Sequence, residues 1–329
     1  MRVTDARMLI RSHIDLLSHG RTDREIASAV RSSSLHRFSR GLYVEADVWH
    51  RASIEDRELL GAVAAYRRMR GGDGVFILSS AAALHGLPLA RHRAGRPHIA
   101  SAGSDGCVRR CSSLSSRHQI DIAPTDVVDI DGIPATSIAR TVADMARCSS
   151  RETGMALACA ALRRAAGGSA GDLDAMERFR ERATEHLRPG ARGVRNARRV
   201  LEIADGRVQL PGEAISLMYL LDLGFDRPRL QVPIPAPSGA PYLADFGLDD
   251  ADVWGEFDGR AKYLDPSMRR AGESVEDVVL REKAREDWIR GTTGRRVVRW
   301  GWPQLTDAAT FGAHLAAFGV VPRRVPRFV

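Results

Sequence analysis

The chain has 329 residues, 44% of them hydrophobic and 27% charged, the composition of an ordinary globular protein with more than one domain. Its net charge of +8 favours an acidic partner, nucleic acid ahead of an anionic membrane, although an Arg-rich coding bias explains the same excess. No Walker loop, GxGxxG fingerprint, Ser/His/Asp arrangement or zinc-type cysteine spacing is present, so nucleotide-dependent chemistry, acyl transfer and a structural zinc site lack support. With no signal peptide and no apolar run of about 18 residues, we expect a cytoplasmic protein without a membrane partner.

The first 50 residues have the pattern of a small DNA-binding domain. Apolar spacing predicts one helix over residues 4–19 and a second over 23–30. The polar, basic segment 32–44 predicts a third helix that runs into a β-hairpin at Arg40-Gly41, which is the element order of a winged helix-turn-helix. The candidate DNA contacts are Arg31, Arg37 and Arg40. A small helical cap with a solvated basic face is the alternative.

Residues 51–205 predict a mixed α/β middle domain. A helix begins at Ser53, and strand-like alternation over 96–135 includes a two-residue hairpin at Asp131-Gly132. Two Arg-rich helices, about 172–187 and 190–204, end this region. Their candidate contacts with a phosphate backbone are Arg192, Arg195 and Arg199. A solvated helix face explains the same arginines more simply.

Residues 206–329 predict a third domain with the element order α-β-β-β-α-β-α. The predicted elements are helices at 212–223, about 275–290 and about 306–317, and strands at 229–235, 242–248, 252–258 and 296–300. The sequence therefore predicts a multidomain α/β (α+β) protein, divided at about residues 50 and 205.

An acidic constellation lies on two neighbouring strands of this last domain. Asp245 lies on the first strand, and Glu256 and Asp258 share one face of the second, because side chains alternate along a strand. Lys262 follows four residues later and is one of only two lysines in a chain that otherwise uses arginine. A lysine in that place indicates a need for a compact point charge beside the carboxylates.

These residue types fit metal-assisted hydrolysis of a phosphodiester. Mg²⁺ (or Mn²⁺) held by two or three carboxylates activates a water and relieves charge on the leaving oxygen. The predicted ligands are Asp245, Glu256 and the carbonyl of Phe257. The predicted supporting groups are Asp258 as a further ligand or a base, Lys262 as the ammonium, and Glu213 as a holder of a water or second ion. A strand-ending turn at Asp258-Gly259, with loop acids that only contact solvent, is the alternative.

Residues 206–305 resemble the domains related to the very-short-patch-repair endonuclease in the PD-(D/E)xK restriction-endonuclease-like superfamily. The matching segments are Pro211-Gly212-Glu213, Ala244-Asp245-Phe246, Glu256-Phe257-Asp258-Gly259 with Lys262-Tyr263, the helical stretch 282–287 and Val297-Val298-Arg299-Trp300. The resemblance implies an αβββαβ core in which Asp245 and Glu256 bind metal and Glu213 is an auxiliary acid. The chain departs from the superfamily pattern at Asp258, where a lysine is expected. Either Lys262 replaces that lysine or activity is lost.

The first two regions resemble the AbiEi-type antitoxins and regulators of bacterial type IV toxin–antitoxin systems. The matching segments are Arg40-Gly41-Leu42-Tyr43-Val44, residues 79–87 and residues 131–141. This resemblance implies a winged-helix head, a mixed α/β middle domain and a cognate toxin as partner. The leading hypothesis is a DNA-binding, Mg²⁺-dependent endonuclease. The alternative is a non-enzymatic regulator of the antitoxin type with a degenerate nuclease fold.

Overall fold

The chain is described from a computed structural model, which covers residues 1–69, 74–101, 108–109, 115–168, 171–237, 239–259 and 275–323. It forms two compact units, one of Met1–Ala161 with Asp174–Glu202 and one of Leu162–Leu173 with Ile203–Val329. The described residues combine helices with three sheets, which confirms a multidomain α+β fold. The division into three domains stays a prediction. None of the described helices is long and apolar enough to cross a bilayer.

The N-terminal part of the first unit has a helix-turn-helix followed by a β-hairpin. Its helices are α1 (Val3–Leu9), α2 (His13–Ser18), α3 (Asp23–Arg31) and α4 (Ala46–Arg51), and its strands are β1 (Arg11–Ser12), β2 (Leu35–Ser39) and β3 (Leu42–Glu45). The sheet order is β1-β3-β2, and both pairings are antiparallel. Leu16, Ile26, Leu35 and Tyr43 form its core. This element order is that of a winged helix, with the hairpin at Arg40-Gly41 as predicted.

Two sequence predictions in this part are wrong. The single helix over residues 4–19 is interrupted, because Ser12 accepts a hydrogen bond from the Asp15 N–H as the N-cap of α2, while β1 pairs with β3. The third helix is the strand β2 instead. Its His36 ring stacks on Trp49 with centroids 3.8 Å apart, a tertiary contact that local sequence does not reveal. The helix that precedes the wing is therefore α3.

The rest of the region before residue 205 contains a six-stranded sheet and six helices within the described residues. Its helices are α5 (Ile54–Arg68), α6 (Leu78–Leu84), α7 (Ile138–Cys148), α8 (Arg151–Ala165), α9 (Leu173–Glu185) and α10 (Val194–Ile203). Its strands are β4 (Val75–Phe76), β5 (His98–Ser101), β6 (Val108–Arg109), β7 (Ser116–Gln119), β8 (Val127–Ile130) and β9 (Ile133–Thr136), in the order β6-β7-β5-β4-β9-β8. Ser53 caps α5, and β8 and β9 pair around Asp131-Gly132, both as predicted.

The C-terminal region has the predicted order α-β-β-β-α-β-α. Its elements are α11 (Pro211–Leu223), β10 (Arg229–Ile234), β11 (Tyr242–Leu248), β12 (Val253–Phe257), α12 (Val275–Thr293), β13 (Arg296–Trp300) and α13 (Ala308–Ala317). The sheet order is β10-β11-β12-β13, with the first three strands antiparallel and β13 parallel to β12.

Two glycines let the elements of this region approach each other closely. A Cβ at Gly212 would overlap the ring of Phe257, and a Cβ at Gly255 would overlap the ring of Trp300. The first contact brings the beginning of α11 against the end of β12, where the predicted acidic residues lie. Gly212 thereby fixes the position of its neighbour Glu213 relative to that strand end.

Candidate active site

A pocket of about 180 Å³ lies on the four-stranded sheet, and side chains of β10, β11, β12, β13 and α12 line it. Phe246 pairs with Gly255 across the antiparallel strands β11 and β12, so the next pair in this register is Asp245 and Glu256. Both of these carboxylates line the pocket, as do Phe257 and Asp258. The structure therefore brings together the residues that the sequence predicted on these two strands.

The Asp245 carboxylate is held by two hydrogen bonds from different directions. Its Oδ2 accepts the main-chain N–H of Phe257 at 2.9 Å, and its Oδ1 accepts Nε2 of Gln231 at 3.3 Å. The first bond ties the side chain to the end of the neighbouring strand. Asp245 is thus fixed at the point where β12 leaves the sheet.

Gln231 is a site residue that sequence analysis missed. Its Nε2 also donates to Oε2 of Glu213 at 3.2 Å, while its Oε1 accepts Nε2 of Gln209 at 3.0 Å. The Gln209 N–H donates to the same Glu213 oxygen at 2.9 Å. Gln231 therefore links the buried Glu213 to Asp245. Glu213 does not line the pocket itself and is connected to it through Gln231.

Glu256 is buried and lies against two guanidinium groups. Arg285 Nη1 donates to its Oε2 at 3.1 Å, and Arg285 Nη2 lies 2.8 Å from its Oε1 without the alignment of a hydrogen bond. Arg299 Nη2 lies 3.2 Å from the same Oε2. Burial alone would lower the pKa of Arg285, but the hydrogen bond and charge of Glu256, with the charges of Glu282 and Asp245, outweigh it and raise that pKa.

Arg299 also connects Glu256 to helix α12. Its guanidinium nitrogens lie 3.5 Å from Glu282 Oε2 and 3.3 Å from Glu286 Oε2. The sequence alone indicates no role for either arginine. Both lie in segments matched to the endonuclease-like domains, but α12 and β13 are distant from Glu256 in the chain.

The predicted ammonium of Lys262 lies outside the described residues. The Asp258 N–H donates to the carbonyl of Trp300 at 2.8 Å, which continues the parallel pairing of β12 and β13 beyond the last residue of the strand. The acidic turn between β11 and β12 has a structural role. Asp249 accepts hydrogen bonds from Arg229 and Arg295, which lie over the ring of Trp254.

The charge of the pocket fits a divalent cation, although no group of three or more His, Cys, Asp or Glu side chains is placed to hold a metal within the described residues. Four carboxylates line it, from Asp245, Glu256, Asp258 and Glu282, against the guanidiniums of Arg285 and Arg299. With all six of these groups ionised, the formal charge of the pocket is −2, which one divalent ion neutralises. Oε1 of Glu256 is buried and lies 2.8 Å from Nη2 of Arg285, so a cation has to compete with that guanidinium for it.

The candidate DNA contacts of the winged helix are exposed. Arg31 ends α3, Arg37 lies on β2 and Arg40 lies at the tip of the hairpin. Ile26 packs into the core, so the opposite side of α3 faces outward, and it carries Arg24, Ala27, Ser28 and Arg31. Arg24 and Ser28 were missed because sequence analysis placed the DNA-contacting helix after residue 31.

The acids at the beginning of α3 are engaged locally. Oδ1 of Asp23 lies 2.7 Å from Nε2 of His13, and Oε2 of Glu25 accepts the Thr22 N–H at 2.7 Å. The outward side of α3 defined above carries Arg24 and Arg31 and none of these acids, so positive charge dominates it.

The second group of candidate arginines lies at or near α10. Arg192 and Arg195 are exposed, whereas Arg199 is half-buried with Nη1 3.2 Å from Glu202 Oε2. This pairing favours a structural role for Arg199, in line with the solvated-face alternative. Arg192 and Arg195 remain candidates for phosphate contacts.

Comparison with known proteins gives no assigned activity. No protein-family model matches the chain. Two uncharacterised proteins of Mycobacterium tuberculosis, MT2308 of strain CDC 1551 and Rv2248 of strain H37Rv, are each 28% identical over 221 residues, which cover 67% of this chain and 76% of theirs. A crystal structure of the RV2827C protein from Mycobacterium tuberculosis has 16% identity and a TM-score of 0.33, and covers 71% of this chain and 87% of that one.

Proposed function

We propose that this chain is a cytoplasmic DNA-binding protein whose C-terminal unit hydrolyses phosphodiester bonds with the help of a divalent cation, Mg²⁺ or Mn²⁺. The observation that carries the proposal is the position of Asp245 and Glu256. They lie opposite each other on neighbouring strands, in a pocket whose described side chains have a formal charge of −2. The resemblance to endonuclease-like domains points to the same two residues.

The proposal assigns distinct roles to the residues of the pocket. Asp245 and Glu256 would hold the cation together with the carbonyl of Phe257, and the cation would lower the pKa of a water and polarise the phosphate. The Phe257 N–H and Gln231 keep Asp245 in place. Asp258 accepts a proton from the attacking water. Glu213 orients Gln231 from behind.

The N-terminal winged helix brings the chain to DNA in this proposal. The outward side of α3, with Arg24 and Arg31, and the hairpin, with Arg37 and Arg40, supply donors for phosphate oxygens and base edges. The net charge of +8 favours association with a polyanion. The resemblance to AbiEi-type proteins adds a cognate toxin as a second proposed partner.

One observation favours a second candidate function, that of a non-enzymatic regulator with a degenerate nuclease fold. Arg285 and Arg299 already compensate the charge of Glu256, and Asp258 stands where the resemblance leads us to expect a lysine. In that case the winged helix binds an operator and the C-terminal unit cleaves nothing.

The deciding experiment incubates the full chain with supercoiled plasmid and with linear single strands in Mg²⁺, Mn²⁺ or EDTA. The wild type is compared with Asp245→Asn, Glu256→Gln and the control Asp252→Asn. Asp252 is an exposed acid of the same hairpin, and it adopts a left-handed backbone conformation (φ +54) that asparagine tolerates. Cleavage that needs the metal and both pocket acids but not Asp252 supports the nuclease. DNA binding without any cleavage favours the regulator.

A further inference from the structure

We propose that Arg285 is the phosphate-binding residue of this pocket, and that its guanidinium takes a non-bridging oxygen of a nucleic-acid phosphodiester. The inference rests on the proposed function, because it concerns the same pocket. It goes beyond that function in assigning the substrate's anion to a residue of α12, a helix for which the sequence alone indicates no role at the site.

Arg285 is anchored independently of Glu256. Its Nη2 donates to the carbonyl of Leu243 at 2.7 Å, and its guanidinium lies 5.8 Å from the centre of the Tyr242 ring. The side chain is mostly buried and lines the pocket. Its position therefore does not rest on the ion pair alone, and these contacts favour a guanidinium that stays at the pocket wall when Glu256 takes another partner.

The two arginines of the pocket differ in how far their charge is compensated. Arg299 lies within 3.5 Å of three glutamates, Glu256, Glu282 and Glu286. Arg285 lies near two, Glu256 at 2.8 Å and Glu282 at 3.6 Å. Arg299 is consequently a link among three glutamates of the cluster, whereas Arg285 has Glu256 as its nearest carboxylate partner among the described residues.

A divalent cation changes this balance. When the cation shares Glu256, the negative charge that Arg285 now faces is partly neutralised, and its N–H donors can turn to an anionic oxygen. Two of its five donors make hydrogen bonds within the described residues. Guanidinium binds phosphate oxygens with charge-assisted hydrogen bonds, and it does not give up its proton, so its role is binding and charge stabilisation and not proton transfer.

This role predicts opposite effects of one substitution on two ligands. In Arg285→Gln the formal charge of the pocket becomes −3, so Mn²⁺ is expected to bind about fivefold more tightly because a like charge has been removed. Phosphate is expected to bind about tenfold more weakly, because the charge-assisted donors are lost. If Arg285 only holds Glu256 in position, Arg285→Gln is instead expected to bind Mn²⁺ more weakly, since a displaced Glu256 is a poorer ligand.

The experiment titrates the full chain with Mn²⁺ alone by calorimetry, and with inorganic phosphate in excess Mg²⁺ by phosphorus NMR. Arg290→Gln is the matched control. It removes the same charge from the same helix, at an exposed residue whose partner, Glu286, does not line the pocket. Arg285→Lys keeps the charge without the planar fork and is expected to retain part of the phosphate affinity. Circular dichroism spectra show whether each variant keeps its fold.

The opposite shifts in Arg285→Gln, with neither shift in Arg290→Gln, establish the assignment. Unchanged phosphate affinity in Arg285→Gln, or weaker binding of both ligands, overturns it. Absence of Mn²⁺ binding in the wild type, or undiminished binding in Asp245→Asn, instead contradicts the proposed metal-dependent function. In that case the phosphate titration alone tests the role of Arg285. Loss of phosphate binding in Arg285→Gln supports the assignment, and a wild type that binds no phosphate overturns it.

Discussion

Gln231 donates a hydrogen bond of 3.3 Å to Asp245 from a backbone conformation, φ +50, that non-glycine residues rarely adopt. The register of β10 and β11 pairs Leu230 with Phe246 and Val232 with Ala244, so the distortion is confined to the residue between them. From this position the side-chain amide donates to two carboxylates, those of Glu213 and Asp245. Backbone strain of this kind is typical of functional sites, where the surrounding structure maintains it.

Replacement of Gln231 separates the strain from the hydrogen bonds. Gln231→Ala is expected to lower the free energy of unfolding by about 1–3 kcal/mol, because two acids lose a donor. Gln231→Gly loses the same donor but relieves about 1 kcal/mol of backbone strain, so it is expected to be the more stable of the two. Urea unfolding of both variants measures the order. Within strands, glycine is usually less stabilising than alanine. If Gln231→Gly is the less stable variant, the result contradicts the role of strain.

The close approach of Gly212 to Phe257 gives a second prediction. Gly212→Ala places a Cβ inside the space of the Phe257 ring, so either α11 or the end of β12 has to move. We expect a loss of about 1–3 kcal/mol in the free energy of unfolding, as for other overpacked sites. Because the displaced helix carries Glu213, metal binding is expected to weaken as well, which calorimetry measures.

Gly291→Ala is the matched control for this substitution. Gly291 lies within α12, and a Cβ there meets nothing within 4 Å. Alanine has the higher helix propensity, so this variant is expected to gain about 0.5–1 kcal/mol. If both variants lose stability equally, the overlap with Phe257 is not the cause of the first loss.

Local signals in the sequence were sufficient to predict most helices and strands and the proximity of Asp245 and Glu256. The hairpins at Arg40-Gly41 and Asp131-Gly132 follow from residues that favour positive φ, and alternation along adjacent strands placed Asp245 beside Glu256. The helix expected after residue 31 failed because the strand β2 is stabilised by packing on Trp49, a contact between segments.

The positions of Gln231 and Arg285 in the site depend on features without a local signal in the sequence. Nothing in the sequence around Gln231 indicates a left-handed conformation, since glycine or asparagine is the usual residue there. Arg285 lies 29 residues from Glu256 in the chain, and their ion pair exists only because α12 packs on the sheet. Charge compensation of this kind is a property of the folded chain, and composition does not reveal it.

The pairing of Asp249 with Arg229 and Arg295 predicts how stability depends on pH. Hydrogen bonds from Arg229, and then from Arg295, lower the pKa of Asp249 to about 2. A carboxylate with a lowered pKa contributes stability above its unfolded-state pKa, and this contribution is lost as the pH falls through the folded-state value. Because Asp249 is half-exposed, solvent screening limits its contribution to about 1 kcal/mol.

Asp249→Asn removes this contribution and leaves the turn intact. We expect the variant to be less stable than the wild type at pH 6, and the difference to shrink between pH 4 and pH 2 as Asp249 of the wild type takes up a proton, in keeping with its pKa of about 2. Urea unfolding across this range, at low and at high salt, measures the difference. A difference that grows toward low pH contradicts the ion pairs as its source.

The winged helix gives the last prediction, because two alternative surfaces can be told apart there. DNA binding through α3 predicts that Arg24→Gln and Arg31→Gln each reduce the slope of log K against log salt by about 0.9, the contribution of one phosphate contact. Binding through the hairpin alone predicts this change for Arg37→Gln and Arg40→Gln but not for Arg24→Gln. Arg51→Gln is the control, since Arg51 is exposed on α4 and pairs with Asp47.

Fluorescence anisotropy with a labelled duplex at several salt concentrations gives the slopes. We expect both surfaces to contribute, since α3 and the hairpin are adjacent in a winged helix and each presents exposed arginines. If none of the four substitutions changes the slope, this domain is the solvated helical cap and the chain contacts DNA elsewhere.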